Sequence, residues 1–182
     1  MSTALLIIDI QNDYFPAGAM ELAGSIEAGE RAAELLEAFR GKALPVIHVQ
    51  HISTRPGASF FVPGTSGVEI HPCVAPSEGE TLVRKNFPNS FRDTPLLQHL
   101  RDNRITRLVV AGMMTQMCID TTVRAAADLG FDCTLAHDAC ATRDLSFGGV
   151  TVPAASVQAA FLAALNGLFA KVRPVAEICA EL

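Results

Sequence analysis

One stretch, residues 107–130, restricts the fold of this chain more than any other. It begins with the apolar run Leu108-Val-Val-Ala-Gly112, passes through a short connection to Cys118, and continues as a helical pattern that ends at Gly130. A buried strand that stops at glycine and is followed within a few residues by a helix is the βα unit of a parallel sheet. The stretch therefore predicts an α/β fold.

The rest of the chain alternates strand and helix patterns in the same way. Short apolar runs predict strands at residues 4–10, 45–52, 81–85, 107–112, 132–139 and 168–172. Amphipathic or capped segments predict helices at residues 26–39, 94–103, 118–129, 153–165 and from 175 onward. Because the chain has no repeat and no internal linker, we expect one domain over residues 1–182. Its expected fold is a doubly wound sheet of five or six mainly parallel strands with helices on both faces.

Two long segments show neither pattern. Glycine and proline are scattered through residues 53–80, and residues 140–152 have no sustained period. Loops of such length inside a compact domain usually have a function. We therefore predict that residues 53–80 form a partly ordered flap over a site, and that residues 140–152 form a second loop.

Composition and charge exclude several classes of protein. Hydrophobic residues make up 49% and charged residues 18% of the 182, which excludes a disordered chain. The net charge of −5 and the lack of a basic cluster argue against a nucleic acid or a membrane as partner. The five cysteines are an odd number without a C-x-x-C pair, and no stretch has the roughly 20 apolar residues of a spanning helix. We therefore expect a cytoplasmic protein without a disulfide framework.

Three side chains with reactive or charged groups lie at the ends of predicted strands. Asp9 is near the end of the first strand, Lys85 ends the third, and Cys118 follows the fourth. Since ligands of parallel sheets bind beyond the carboxyl ends of the strands, we expect these residues at one edge of the sheet. Two of them also have a simpler interpretation, Cys118 as a small buried hydrophobe and Asp9 as half of a structural ion pair.

Together the three residues are suited to nucleophilic catalysis. At the N-terminus of a helix, Cys118 would have a lowered pKa and act as a thiolate nucleophile. Asp9 would take and return a proton, and Lys85 would keep Asp9 ionised. This arrangement needs no histidine as the base.

The motifs around these residues resemble those of the isochorismatase-like cysteine hydrolases, a family that includes nicotinamidases and N-carbamoylsarcosine amidases. The similarity covers nearly the whole chain. The matching motifs are Leu6-Ile-Ile-Asp-Ile-Gln-Asn-Asp13, Lys85 with Ser90-Phe91 and Thr94, Ala111-Gly112-x-x-Thr115-x-x-Cys118, Thr121-x-x-x-Ala125 with Gly130, and Asp138-Ala139. The catalytic Asp, Lys and Cys of that family fall on Asp9, Lys85 and Cys118. The resemblance implies a Rossmann-like three-layer fold.

The resemblance also implies the chemistry of the site. The Met113–Met114 peptide would be cis, and the N–H groups of Met114 and Cys118 would form an oxyanion hole. Cys118 would attack the carbonyl of a small amide or carbamoyl compound and form a thioester, with Asp9 as general base and acid. A homo-oligomer, either a dimer or a tetramer, is implied as well.

Nicotinamidases of this family carry a zinc motif of Asp-x-His with a further His just after the second strand. This chain has His48-Val-Gln-His51 there, without an aspartate at the required spacing, so we predict no metal and no cofactor. His48 and His51 fall on opposite faces of a strand, so at most one of them faces the site. The predicted substrate-binding residues are Phe15, His51, Phe60, Phe91 and Met113, with core packing as the alternative for each phenylalanine.

We therefore predict a metal-independent cysteine hydrolase that cleaves the C–N bond of a small molecule. Three alternatives stay open at the level of sequence. Hydrolysis of a vinyl ether such as isochorismate needs a general acid and no thiol. A silent binding domain would keep the fold without the activity, and a redox sensor would require a resolving cysteine near Cys118.

Overall fold

Six strands pair in parallel to form the central sheet of the computed structural model, which describes residues 2–182. The strands in chain order are β1 (Ser2–Ile8), β2 (Val46–His51), β3 (Thr81–Lys85), β4 (Ile105–Met113), β5 (Asp132–Ala141), β6 (Leu145–Phe147), β7 (Val150–Val152) and β8 (Lys171–Arg173). The order across the sheet is β3-β2-β1-β4-β5-β8, and β6 pairs with β7 in a separate hairpin. The predicted doubly wound sheet is confirmed, and its six strands begin and end within about three residues of the predicted positions.

Helices cover both faces of this sheet. They are α1 (Ser25–Gly41), α2 (Leu96–Asp102), α3 (Asp120–Asp128), α4 (Ala154–Leu165) and α5 (Val175–Glu181). Alternate side chains of β1 point to opposite faces, so Leu5 and Ile7 pack with α1 and α5, whereas Leu6 and Ile8 pack with α2, α3 and α4. Burial on both faces explains why β1 is a continuous apolar run. No helix within residues 2–182 combines the length and the apolar composition needed to cross a membrane.

Residues 53–80 contain only short stretches of regular secondary structure, as predicted. Two short 3₁₀ turns lie within them, Ser66–Val68 and Pro72–Val74. The side chain of Gln11 joins this segment to the sheet, because it donates to the carbonyls of Val68 (2.7 Å) and His51 (2.9 Å) and accepts from the N–H of His51 (2.7 Å). The segment is therefore fixed beside the carboxyl ends of β1 and β2.

The prediction of a loop at residues 140–152 is wrong. β5 continues through Ala141, and most of the remaining residues form the antiparallel β6–β7 hairpin. Its turn is Gly148-Gly149, with φ values of 58° and 79°, the positive values that a two-residue hairpin turn requires. The Gly-Gly pair between two short apolar runs is the sequence signal that could have identified this hairpin.

Candidate active site

The strand order brings the three predicted catalytic residues to one edge of the sheet. β1 lies between β2 and β4, and β3 lies beside β2, all in parallel. Asp9 directly follows β1, Lys85 ends β3, and Cys118 comes five residues after the end of β4. Parallel strands end at the same edge, so residues far apart in the sequence meet there.

Asp9 and Lys85 form a buried ion pair. Lys85 Nζ lies 2.7 Å from Asp9 Oδ2, and both side chains are inaccessible to solvent. The ammonium also donates to the carbonyls of Phe87 (3.1 Å) and Pro88 (3.4 Å). Burial is the largest single effect on the pKa of Lys85 and acts to lower it, but Asp9 and Cys118 together outweigh it, so this pKa lies above its ordinary value. Lys85 therefore keeps its charge, and its contacts with Asp9 and the two carbonyls offset the cost of holding that charge in a protein interior.

Cys118 lies in a single π-helical turn, Thr115–Ile119, which precedes α3. Its side chain is only 4% exposed. The predicted lowering of its pKa is wrong: burial and the neighbouring Asp9 raise the pKa of the thiol far above its usual range, and Lys85 opposes them only in part. Cys118 is thus a neutral thiol at rest, so its attack on a substrate needs an adjacent base.

His51 is the histidine that faces this site. A carboxylate oxygen of Asp9, a ring nitrogen of His51 and Sγ of Cys118 all lie within 4.8 Å of one another. Burial lowers the pKa of His51 to about 4, against the opposing effect of Asp9. Lys85 Nζ is 3.1 Å from His51 Nδ1. An ammonium can only donate, so Nδ1 accepts and the ring proton is assigned to Nε2.

His48 lies on the opposite face of β2, as the alternation of the strand predicts. Its Nε2 is 2.8 Å from Glu80 Oε2, and Glu80 is held in turn by Arg40 at 2.7 Å. The two histidines of this strand therefore have different surroundings, and His48 belongs to a structural network under residues 53–80.

A cavity of about 260 Å³ opens onto Cys118. Its volume is below the range typical of sites for drug-sized ligands, so it suits a small substrate. Most of its lining surface is apolar, and exposed lining residues, among them Arg55, Gly57 and Ser59, mark the rim. The lining residues are Tyr14, His51, Ser53, Arg55, Gly57, Ala58, Ser59, Phe60, Asn86, Pro88, Met114, Met117 and Cys118.

Two of the five predicted substrate-binding residues, His51 and Phe60, line this cavity, and the other three lie elsewhere. The ring of Phe15 stacks on that of His71 at 3.6 Å between centroids. Phe91 packs near Phe131 at the core on the side of the sheet covered by α2, α3 and α4, and Met113 is fully buried at the end of β4. These placements correct the predictions for Phe15, Phe91 and Met113, because each side chain is directed into a core.

Several residues of the cavity were missed by the sequence reasoning. Tyr14 is fully buried against the site, and its pKa is raised by burial and by Cys118 and Asp9. Met117, Asn86 and Arg55 line the cavity from segments without a readable period. For Tyr14 the sequence signal is the adjacent aromatic pair Tyr14-Phe15, of which Tyr14 and not Phe15 lines the cavity.

The connection between β4 and Cys118 has the geometry that the resemblance implies. The Met113–Met114 peptide is cis. The carbonyl of Met114 accepts from the N–H groups of Met117 (3.1 Å) and Ile119 (3.2 Å), so it faces the π-helical turn. Met114 and Cys118 both border the cavity, where their predicted role is to supply the N–H groups of an oxyanion hole.

Gly112 allows β1 and β4 to approach closely beside Asp9. It pairs with Ile8 and has a φ of 140°. A Cβ atom at this position would lie 2.0 Å from the carbonyl oxygen of Ile8. Only glycine fits here, and the close contact sets the position of Asp9 relative to the turn that carries Cys118.

Within residues 2–182, the one group with the residue types and spacing of a metal site is Asp9, His51 and Cys118. The Lys85 ammonium already contacts Asp9 Oδ2 at 2.7 Å and His51 Nδ1 at 3.1 Å. A divalent cation would have to displace the ammonium group from the same two ligand atoms, Asp9 Oδ2 and His51 Nδ1. The residues therefore do not fit a metal ion well.

Comparison with known proteins gives consistent results. Residues 3–177 match the model of the Isochorismatase domain. The isochorismatase-family protein YddQ of Bacillus subtilis is 51% identical over 95% of this chain and 96% of its own. A streptothricin hydrolase of Streptomyces noursei is 37% identical over 84% of this chain and 55% of its own. The crystal structure of an isochorismatase-type hydrolase from Oleispira antarctica, 52% identical, covers 98% of this chain and 96% of its own with a TM-score of 0.95.

Proposed function

The chain belongs to the isochorismatase family of hydrolases, and on that basis we propose that it is a metal-independent cysteine hydrolase of small amide or carbamoyl compounds. The observation that carries the proposal is the buried Asp9–Lys85 pair beside the buried thiol of Cys118 at the base of a small cavity. A carboxylate next to a thiol of raised pKa supplies the base that such a thiol needs.

The first half of the reaction forms a thioester. Sγ of Cys118 bonds to the carbonyl carbon of the substrate while the thiol proton passes to Asp9. The N–H groups of Met114 and Cys118 stabilise the oxyanion, and each such donor typically contributes about 3–4 kcal/mol to lowering the barrier. The C–N bond then breaks as Asp9 returns the proton to the leaving nitrogen.

The second half releases the acid. Asp9 takes a proton from water, whose oxygen attacks the thioester carbonyl, and the C–S bond breaks. The proton on Asp9 then returns to Cys118, which restores the thiol. Throughout both halves Lys85 remains charged, and it stays compensated because one negative charge is always nearby: on Asp9 or, while Asp9 holds the proton, on the oxyanion or the departing thiolate.

The alternative reaction in this family is hydrolysis of a vinyl ether. Such a reaction would use Asp9 as a general acid and would leave Cys118 without a role. The two reactions therefore differ in their dependence on the thiol, which makes Cys118 the residue to substitute.

The test is ammonia release from a panel of small primary amides, ureas and carbamoyl compounds by wild type, Cys118→Ala and Cys133→Ala. Cys133 is a second buried thiol, so its substitution is the matched control. We expect Cys118→Ala to lose at least roughly 10³-fold in rate and Cys133→Ala to keep its activity. Ammonia release that survives in Cys118→Ala would contradict the nucleophilic role of Cys118. Silence across the panel, with Cys118 also unreactive toward alkylating agents, would favour a binding domain.

We also propose that the protein self-associates through the exposed apolar residues of the β6–β7 hairpin and of α4, which follows the hairpin in the chain. α4 has no charged residue, and only Val157 and Leu165 are buried in it. The hairpin exposes 90% of Phe147 and 64% of Val150. Contiguous apolar surface is unusual on a monomer and typical of homodimer interfaces, in which symmetry places the same patch on both copies.

Sedimentation of the wild type, Phe147→Glu and Ile26→Glu at micromolar concentration tests this second proposal. Ile26 is an exposed apolar residue of α1, 49% accessible, and serves as the control. We expect the wild type and Ile26→Glu to be oligomeric and Phe147→Glu to be monomeric. A monomeric wild type, or an unchanged Phe147→Glu oligomer, would exclude this interface.

A further inference from the structure

Arg55 differs from the other residues that border the cavity, because its charge has no partner. Its side chain makes no ion pair and no hydrogen bond within residues 2–182, although it lines the cavity. Arg40, Arg124 and Arg173 each pair with a carboxylate. Other arginines of the described chain also lack an ion pair, but Arg55 is the one that lines this cavity. The charge of Arg55 also reaches His51, where it acts to lower the pKa of the ring.

The loop that carries Arg55 is held in place at its base. The N–H of Ser53 donates to the carbonyl of Phe61 (2.9 Å), and the N–H of Ala58 donates to the carbonyl of Arg55 (3.2 Å). Phe61 is fully buried, and its N–H donates to Asp13 Oδ2 at 2.6 Å. The backbone of Arg55 is therefore positioned by core contacts, while its guanidinium is free to meet a ligand at the rim.

The charges in and around the cavity do not cancel. Asp9 and Lys85 compensate each other at 2.7 Å. His51 accepts from Lys85 through Nδ1 and is neutral, and Cys118 is a thiol. No other Asp or Glu is among the residues that line the cavity in the part of the chain described. Just outside the lining, Asp13 and Arg143 act on Tyr14 with opposite signs. Arg55 thus leaves one uncompensated positive charge at the mouth of a cleft whose walls are of low polarity, where electric fields act strongly on ligands.

We propose that Arg55 binds a carboxylate of the substrate, so that the substrates are small amides or carbamoyl compounds that carry one carboxylate. This inference rests on the proposed function and specifies its substrate class. The guanidinium presents a planar fork of N–H donors that matches the two oxygens of a carboxylate. With the carboxylate at Arg55, the other end of the molecule lies toward Cys118.

The size of the cavity limits the length of such a molecule. A sphere of 260 Å³ is about 8 Å across. A monoamide of a dicarboxylic acid with a short carbon chain fits this span, with the amide near the thiol and the carboxylate near the rim. Neutral diamides of the same length have nearly the same shape but lack the charge, which makes them matched probes.

The first experiment compares two alkylating agents that differ in charge. Iodoacetate and iodoacetamide are reacted with wild type, Arg55→Ala and Arg31→Ala, and modification of Cys118 is followed by peptide mass. Arg31 pairs with Glu34 on the exposed side of α1 and is the control. We expect the ratio of the iodoacetate rate to the iodoacetamide rate to fall roughly tenfold or more in Arg55→Ala, the loss expected for a charge-assisted hydrogen bond, and to stay constant in Arg31→Ala.

The second experiment measures binding by calorimetry in the Cys118→Ala background, in which turnover is absent. We expect the monoamide of succinic acid to bind roughly tenfold or more tightly than succinamide, and this preference to disappear when Arg55→Ala is added. Equal binding of the two probes, or an alkylation ratio that does not depend on Arg55, would overturn the inference.

Failure of the proposed function would look different. In that case the charge preference at Arg55 would persist, but no member of the panel would release ammonia in a manner that depends on Cys118. Conversely, hydrolysis that depends on Cys118 and favours neutral amides would uphold the function and overturn the role of Arg55.

Discussion

Lys85 Nζ and Asp9 Oδ2 lie 2.7 Å apart, and neither side chain is accessible to solvent. This pair joins the ends of β1 and β3, so it has a structural as well as a chemical role. Removing one partner leaves the other charge buried and unpaired. We therefore expect Lys85→Met to lower the free energy of unfolding by about 3–5 kcal/mol in denaturant titrations at neutral pH.

The double variant Asp9→Asn/Lys85→Met is the control for this prediction. It removes both charges, so we expect it to recover most of the lost stability while remaining inactive. A single Lys85→Met variant as stable as the wild type would show that Asp9 is not held as a buried carboxylate.

His51 is expected to stay neutral across the physiological range. Its pKa of about 4 means that most of the rings gain a proton only below that pH. The added proton would sit on His51 Nδ1, which could then no longer accept a hydrogen bond from Lys85. Titration of the histidine ring signals by NMR, with His51→Gln for assignment, should show no change of the His51 signal between pH 5.5 and 8, a range well above that pKa. A midpoint near 6.5 would contradict the buried, neutral ring.

Substitution of Gly112 tests the close approach of β1 and β4. In Gly112→Ala the new Cβ would overlap the carbonyl oxygen of Ile8, at a φ that L-residues avoid. We expect a loss of about 3 kcal/mol or more in the free energy of unfolding. Gly41→Ala is the matched control, because a Cβ there meets no atom within 4 Å, and its stability should be close to that of the wild type.

Glu80 is expected to contribute to stability in a manner that depends on pH. Its hydrogen bonds with Arg40, the backbone of Ser77 and His48 lower the pKa of its carboxyl from 4.5 to about 2, although burial acts in the opposite direction. The contribution is therefore complete above pH 4.5 and is lost as the pH falls toward 2. The difference in pKa corresponds to roughly 3 kcal/mol.

The measurement is the free energy of unfolding of Glu80→Gln and Glu37→Gln at pH 7 and at pH 3. Glu37 also pairs with Arg40, but 72% of its side chain is exposed, so its contribution should be near zero. We expect Glu80→Gln to be destabilised at pH 7, and this destabilisation to shrink by more than half at pH 3, because the loss is complete only near pH 2 and below. If Glu80→Gln lost the same free energy of unfolding at both pH values, the charge of Glu80 would not be the cause of the destabilisation.

The sheet and the places of Asp9, Lys85 and Cys118 were predictable because they depend on local patterns and on one topological rule. An apolar run identifies each strand, and parallel pairing then brings the strand ends to one edge. The same reasoning could not predict the pKa of Cys118. That value depends on burial by groups distant in the sequence, and burial opposed the expected effect of a helix N-terminus.

The walls of the cavity were less predictable for a related reason. Tyr14 faces the site and Phe15 does not, because Phe15 stacks on His71, far along the chain. Nothing in a pair of adjacent aromatic residues tells which one turns inward. Arg55 comes from an irregular segment whose course is set by the contacts of Phe61 and Asp13, so its position at the rim became clear only with the fold.

The most direct test of the central claim is to trap the thioester on Cys118 with hydroxylamine during turnover of the best amide found in the panel. If the acyl group passes through Cys118, hydroxylamine competes with water for the thioester, and wild type yields a hydroxamate together with the acid. We expect Cys118→Ala to yield neither product and Cys133→Ala to yield both. Acid formation without any hydroxamate, at a rate that Cys118→Ala retains, would contradict the nucleophilic role of Cys118.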